Sequence, residues 1–250
     1  MTISDTTRQM LLANAERYET AEFLVGDPSW WMHQVEGVEN QEAMAFLASC
    51  LSYGSRKQFM PKIGQLLEWS EGEVDNWLRC GAYRSHFDKG DTSCFYRLYN
   101  NDCMRTFLDA YNDLLNGHGT LGEYVSRRTD NGIGAVGAIS EFFASHGVST
   151  VVPKDTSSAC KRVCMFLRWM VRDNSPVDLG LWASFIDKRT LIMPLDTHVV
   201  SQSVRLGLLN SKAASMSAAR RLTDVLAQVF PDDPLRGDFA LFGYGVNGEE

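Results

Sequence analysis

The chain is poor in the features that mark several large protein classes. No stretch approaches the roughly 18–20 continuous apolar residues that a membrane helix needs. Its six cysteines (Cys50, Cys80, Cys94, Cys103, Cys160, Cys164) include no C-x-x-C pair, which argues against a zinc ribbon or a four-cysteine iron–sulfur cluster. The five histidines (His33, His86, His118, His146, His198) show no metal-ligand spacing, so neither metal nor cofactor is expected. The opening "MTISDTTRQMLLANAERYET" lacks the basic start and apolar core of a signal peptide and has the pattern of a capped amphipathic helix. With the cysteines taken as reduced thiols, a cytoplasmic location is expected. Positive charge is also scarce. Lys and Arg number 24 against 31 Asp and Glu, a net charge of −7. That counts against a strong nonspecific nucleic-acid binder but leaves room for a local basic groove on an acidic body.

At 250 residues the chain can form one large domain or two lobes. It has no repeat, low-complexity tract or Pro/Ser-rich linker, so any lobes must be made by packing. Helical periodicity dominates. Ala43, Phe46, Leu47, Cys50 and Leu51 share one face, as do Met104, Phe107, Leu108, Tyr111 and Leu115. Leu222, Val225, Leu226 and Val229 repeat the pattern before Pro231. "FMPKIGQLLEW" places Pro61 near a first helical position. Period-2 alternation is nearly absent, and Thr150–Val152 is its best trace. The fold class expected is all-α. Two segments break the rhythm. "RTDNGIGAVGAISEFF" suits a tight turn into a closely packed helix, and "RDNSPVDLGLWASFIDKR" is a long connection with room for a helical turn. The acidic stretch "HQVEGVENQEA" is expected at the surface.

Two stretches carry candidate chemistry. In "KDTSSACKRVCMFLRWMVR", Thr156, Ser157 or Ser158 can cap a helix, with Lys161 in or just after its first turn. Cys160, Cys164, Leu167 and Val171 form its apolar face. Lys161, Met165, Arg168 and Arg172 form a second, basic stripe, for which solvated surface is the plain expectation. A lysine there faces the positive end of the helix dipole, a position suited to a nucleophilic amine. In "LIMPLDTHVVSQSVRLGLL", Asp196 precedes a periodic run and is placed to cap it. Capping and catalysis are compatible, because a carboxylate at a helix start can also face a developing cation.

At these residues the chain resembles the helix-hairpin-helix DNA glycosylases, the endonuclease III-like enzymes. "PLDTHVVSQSVRLGLL" is similar to their acid-bearing segment, and "SACKRVCMFLRWMV" to the helix opened by a catalytic lysine. The long Lys161-to-Asp196 separation is similar to that of archaeal 8-oxoguanine glycosylases. From "DPSWW" through "CLSYGSRKQ" and "KRVCMFLRWMVR" to "DFALFGYGV", the chain more closely resembles an uncharacterised bacterial family distantly related to those enzymes. The hairpin signature "L-P-G-(apolar)-G" is replaced by "VVPKDTSSAC", and the cysteine cluster of the bacterial endonuclease III type is missing.

The resemblance implies a two-lobed helix-hairpin-helix glycosylase-like fold. Its contiguous lobe would span 42–190, and 1–41 would pair with 191–250. It also implies a DNA base-excision glycosylase, with or without Schiff-base lyase activity, acting on damaged duplex DNA in a cleft. Lys161 and Asp196 would be catalytic. Arg162, Arg168, Arg172, His198, Arg56 and Lys57 are the candidates for nucleic-acid contact, with "SYGSRKQ" setting the last two on a turn. Trp169, Trp182 and Phe185 are the nearest aromatics for stacking on an extruded base. The alternatives are a non-catalytic nucleic-acid or nucleotide-binding module of the same fold, and an all-α protein-interaction scaffold.

Overall fold

A computed structural model describes residues 3–247, so Met1, Thr2 and residues 248–250 of the expected terminal lobe lie outside the described residues. The chain is mostly helical. Among the described residues the order is α1 (Asp5–Tyr18), α2 (Val38–Leu51), α3 (Arg56–Trp69), α4 (Val74–Arg79), β1 (Cys94–Tyr96), β2 (Tyr99–Asn100), α5 (Asn101–His118), α6 (Leu121–Ser126), α7 (Gly132–Ser145), α8 (Lys161–Val171), α9 (Thr197–Arg205), α10 (Met216–Leu226) and α11 (Arg236–Asn247). None of these helices is long and apolar enough to cross a membrane.

The residues divide into two compact units. The first comprises Met1–Val25, Asp130–Val136 and Thr156–Glu250; the second comprises Gly26–Thr129 and Gly137–Asp155. The sequence placed 42–190 in one lobe and 1–41 with 191–250; this division sets 26–41 with the second unit, and 130–136 and 156–190 with the two chain ends. The buried arginines of α8 pair with acids of both terminal segments and of the connection that follows α8, as described below.

In the second unit α2 is the central element, with every residue from Glu42 to Leu51 buried. The ring of Phe46 meets Tyr111 of α5 and Phe143 of α7, each at 5.2 Å between centroids. Truncating such a fully buried ring to Ala costs about 3–5 kcal/mol. The acidic stretch expected at the surface is exposed at Glu36 and Glu39 but buried at Glu42. The Glu42 carboxylate accepts from Leu121 N at 2.8 Å and Gly122 N at 3.0 Å, satisfying two donors at the start of α6. The strand signal at Thr150–Val152 does not become a strand. Val151 and Val152 are buried in an irregular segment, and the one small sheet among the described residues is the β1–β2 hairpin.

In the first unit α1 packs along α11, and α9 packs on α11. Ser4 caps α1 by accepting from Thr7 N. The turn before α7 is tight, as its glycines suggested. Asn131 Oδ1 accepts from Gly134 N at 3.0 Å, while Gly132 N donates to Thr190 Oγ1 at 2.9 Å. A Cβ on Gly132 would lie 2.5 Å from the Thr190 carbonyl oxygen, so only glycine permits this approach.

Candidate functional site

α8 begins at Lys161, later than the serines and threonine of the preceding stretch would start it. Cys160 is its N-cap, in the left-handed region at φ 47°, and makes no side-chain cap hydrogen bond. Ser158 is held instead in an antiparallel bridge with Ser215, which keeps that segment extended and delays the helix. Lys161 is therefore the first helical residue and is half-exposed, as is Arg162 after it. Everything from Val163 to Val171 is buried.

That burial includes two arginines, and it corrects the expectation that Arg168 and Arg172 contact phosphate. Their relative exposures are 3% and 1%. Arg168 Nε lies 3.3 Å from Asp178 Oδ1, and its Nη1 bonds Asp238. Arg172 bonds Asp178 through Nη1, Asp233 through Nε at 2.9 and 3.0 Å, and Glu19 through Nη2 at 2.5 Å. Arg236 Nε closes the chain onto the other Glu19 oxygen at 2.8 Å. The Phe239 ring lies under both buried guanidinium groups, 4.9 and 5.4 Å from its centroid. Burial opposes charge on Arg172, but Asp178, Asp233 and Glu19 reverse it and hold the guanidinium protonated. At Asp178, whose side chain is fully enclosed, burial dominates and pushes the carboxyl up, against the pull of Arg168 and Arg172. Arg168 and Arg172 thus form buried ion pairs that tie α8 to α11 and to both terminal segments, while Lys161 at the head of the same stripe stays half-exposed.

The connection after α8 folds back on it. Leu179 N and Gly180 N donate to the Trp169 carbonyl at 2.8 and 3.2 Å, and Trp182 N donates to the Met170 carbonyl at 2.7 Å. These bonds satisfy carbonyls that a helix end leaves unpaired. Of the three aromatics considered for stacking, Trp169 and Trp182 are buried, and only Phe185 reaches solvent. Phe185 lines a surface cavity of about 480 Å³ with Val171, Asp173, Asp187, Lys188 and Arg189. Two ion pairs rim it, Lys188–Asp173 and Arg189–Asp187, each at 2.5 Å. The cavity touches the last residue of α8, about 15 Å along the helix from Lys161 at a rise of roughly 1.5 Å per residue.

Asp196 is the N-cap of α9. Its Oδ1 accepts from Val199 N at 2.7 Å, and the residue is half-exposed. Its Oδ2 carries no hydrogen bond among the described residues. His198 is exposed in the first turn of α9. In the second unit, Arg56 and Lys57 do not sit on a turn but are the first two residues of α3, and both are exposed. The helix therefore starts well before Pro61, which lies inside it and leaves the Lys57 carbonyl without its helical donor. Arg56 donates to the Gly26 carbonyl at 3.3 Å and pairs with Asp27 at 3.3 Å.

Sequence comparison places these residues. Residues 27–247 match the model of a family described as a protein of unknown function, DUF2400. The chain belongs to the DUF2400 family. No curated protein and no solved structure matches it. The DUF2400 match takes in Arg56, Lys57, Lys161 and Asp196 together with Asp178, Asp233 and Asp238. Glu19, which holds Arg172 from the N-terminal segment, lies ahead of it.

Proposed function

We propose that this DUF2400 chain excises damaged bases from DNA, as an N-glycosylase with Schiff-base lyase chemistry centred on Lys161 and Asp196. One observation carries the reading. Lys161 opens α8 and Asp196 caps α9 within the same compact unit, and both reach solvent while the helix faces behind them are buried. The resemblance of "SACKRVCMFLRWMV" and "PLDTHVVSQSVRLGLL" to the lysine- and acid-bearing segments of helix-hairpin-helix glycosylases supports the same pair.

Breaking an N-glycosidic bond builds positive charge on the sugar, and the free Oδ2 of Asp196 would face that charge while Oδ1 keeps the cap. The Lys161 amine would add to the anomeric carbon as the base leaves with the bonding electron pair and takes up a proton. Opening of the sugar ring then gives the Schiff base, from which β-elimination expels the 3′ phosphate. A second reading, a DNA-binding module without chemistry, is favoured by the long connection 146–160 between α7 and α8, where the resemblance calls for a compact hairpin whose amides hold phosphate.

Borohydride trapping separates the two. The test uses duplexes carrying 8-oxoguanine, uracil, an oxidised pyrimidine or an abasic site. A covalent adduct lost in Lys161→Gln supports the lyase. Salt-dependent binding with no adduct and no base release supports the binding module and sinks the glycosylase.

A further inference from the structure

Within the first unit, the start of α10 lies beside the start of α8. Ser158, three residues before Lys161, forms its antiparallel bridge with Ser215, and Ser215 caps α10 by accepting from Ala218 N. An antiparallel bridge runs the residues after one partner alongside those before the other. Lys161 and Lys212, each three residues from the bridge, therefore lie within about 11 Å of it, at roughly 3.6 Å of chain per residue. Farther along α10, Thr223 Oγ1 accepts from Met193 N at 2.9 Å, three residues before Asp196. α10 thus anchors the segments that carry both candidate catalytic residues. Four Lys and Arg side chains of the first unit make no ion pair, hydrogen bond or ring contact among the described residues: Lys161, Lys212, Arg220 and Arg221. The last three are exposed. Arg220 and Arg221 stand roughly 7.5 and 9 Å from Ser215 along the α10 axis, at about 1.5 Å per residue, so all four cations gather around one bridge.

We infer that the exposed start of α10 holds the phosphates of duplex DNA beside the Lys161–Asp196 site, with Lys212, Arg220 and Arg221 as the contacts. Naming DNA rather than another polyanion rests on the function proposed above. The charge pattern supports it. A cation near a helix start gains nothing for the fold, because the dipole end there is itself positive. α1, α2, α4, α5, α6 and α11 each place an acid in the first turn. α8 and α10 place none, and their caps, Cys160 and Ser215, are neutral. On a body of net charge −7, two adjoining helix starts and four unmatched cations draw a polyanion to one place. Asp224 shares the exposed face of α10 without an ion pair to either arginine, and the face stays net positive. The chemistry favours phosphate over a protein partner. None of the large apolar side chains exposed among the described residues belongs to α8, α10 or the segment between Gly207 and Ser215. A protein interface is built on an apolar centre, whereas backbone phosphates need only charge and donors.

The test is fluorescence anisotropy over a salt series with the full wild-type chain. The probe is a short labelled duplex with a tetrahydrofuran abasic site, which lacks the hydroxyl needed for a Schiff base and is not turned over. Arg220→Gln combined with Arg221→Gln should lower the log–log salt slope by about 2 and weaken binding at low salt by at least about tenfold. Lys212→Gln should lower the slope by about 1, and it carries the test alone if the double variant fails to fold. Lys89→Gln removes the same charge from an exposed position of the second unit and should leave the slope unchanged. An unchanged melting temperature confirms each fold. Unaltered slopes in the folded α10 variants overturn the inference, and so does an equal fall in Lys89→Gln. If the wild-type chain is nonetheless trapped by borohydride on a natural abasic duplex, the glycosylase reading stands and the phosphates lie elsewhere. Displacement of the duplex by polyglutamate as readily as by unlabelled duplex overturns DNA as the occupant. A wild-type chain that binds no duplex at all overturns both.

Discussion

Arg172 and Asp233 form a two-pronged ion pair in the interior of the first unit. Nε lies 2.9 and 3.0 Å from the two carboxylate oxygens, and Nη2 lies 2.8 Å from one of them. A pair so enclosed stabilises the fold only while every charge is matched, since an unpaired buried charge costs several kcal/mol. Asp178 is the most demanding member, because it serves Arg168 and Arg172 with its side chain wholly enclosed. Asp178→Asn should cost about 3–5 kcal/mol in urea unfolding. The loss should persist at high salt, since burial shields the pairs from screening. A loss below about 1 kcal/mol would show that water reaches the cluster.

Acid should reveal the same cluster through Glu19. Burial raises its carboxyl, but Arg172 and Arg236 outweigh that and hold it below its usual 4.5. A depressed carboxyl contributes stability that is present above the unfolded value and lost as pH falls through the folded one. The stability gap between wild type and Glu19→Gln should therefore be widest above about pH 4.5 and shrink below it. Urea unfolding at a series of pH values measures the gap. A constant gap would remove Glu19 from the linkage.

The helices were legible where one face alone decides burial. Met104, Phe107, Leu108, Tyr111 and Leu115 recur at helical spacing, and all are buried in α5. Asp196 was legible as a cap because capping is a contact three residues long. Arg168 and Arg172 were not. Their spacing is equally that of a solvated stripe, and their acids come from Glu19, Asp178, Asp233 and Asp238, which no local pattern links to them. Glu42 escaped for the same reason, since its partners Leu121 and Gly122 lie far along the chain. The β1–β2 hairpin is too short to show alternation, and Tyr53, distant in sequence, braces it from outside.

Close approach at the start of α7 gives a paired prediction. A Cβ on Gly132 would meet the Thr190 carbonyl oxygen at 2.5 Å and Leu191 Cα at 2.9 Å, both backbone atoms that cannot swing aside. Gly132→Ala should destabilise by about 1–3 kcal/mol, the cost of overpacking. Gly137, in the same helix, has no atom within 4 Å of the point a Cβ would occupy, so Gly137→Ala should be neutral or stabilise by up to about 1 kcal/mol. Thermal melting of the two variants side by side checks both. Equal effects would mean that the turn before α7 yields.

Asp196 holds a cap and is assigned chemistry, and two substitutions pull these roles apart. Asn caps a helix about as well as Asp, whereas Ala loses roughly 1 kcal/mol. Asp196→Asn should therefore melt with the wild type, and Asp196→Ala should melt lower. If the carboxylate stabilises charge on the sugar, base release should fall by about a hundredfold or more in both variants, because the amide offers no negative charge. If Asp196 only caps, the Asn variant should keep full activity and the Ala variant should lose it in step with stability. The ratio of base release to melting temperature across the pair measures what the carboxylate does beyond starting α9.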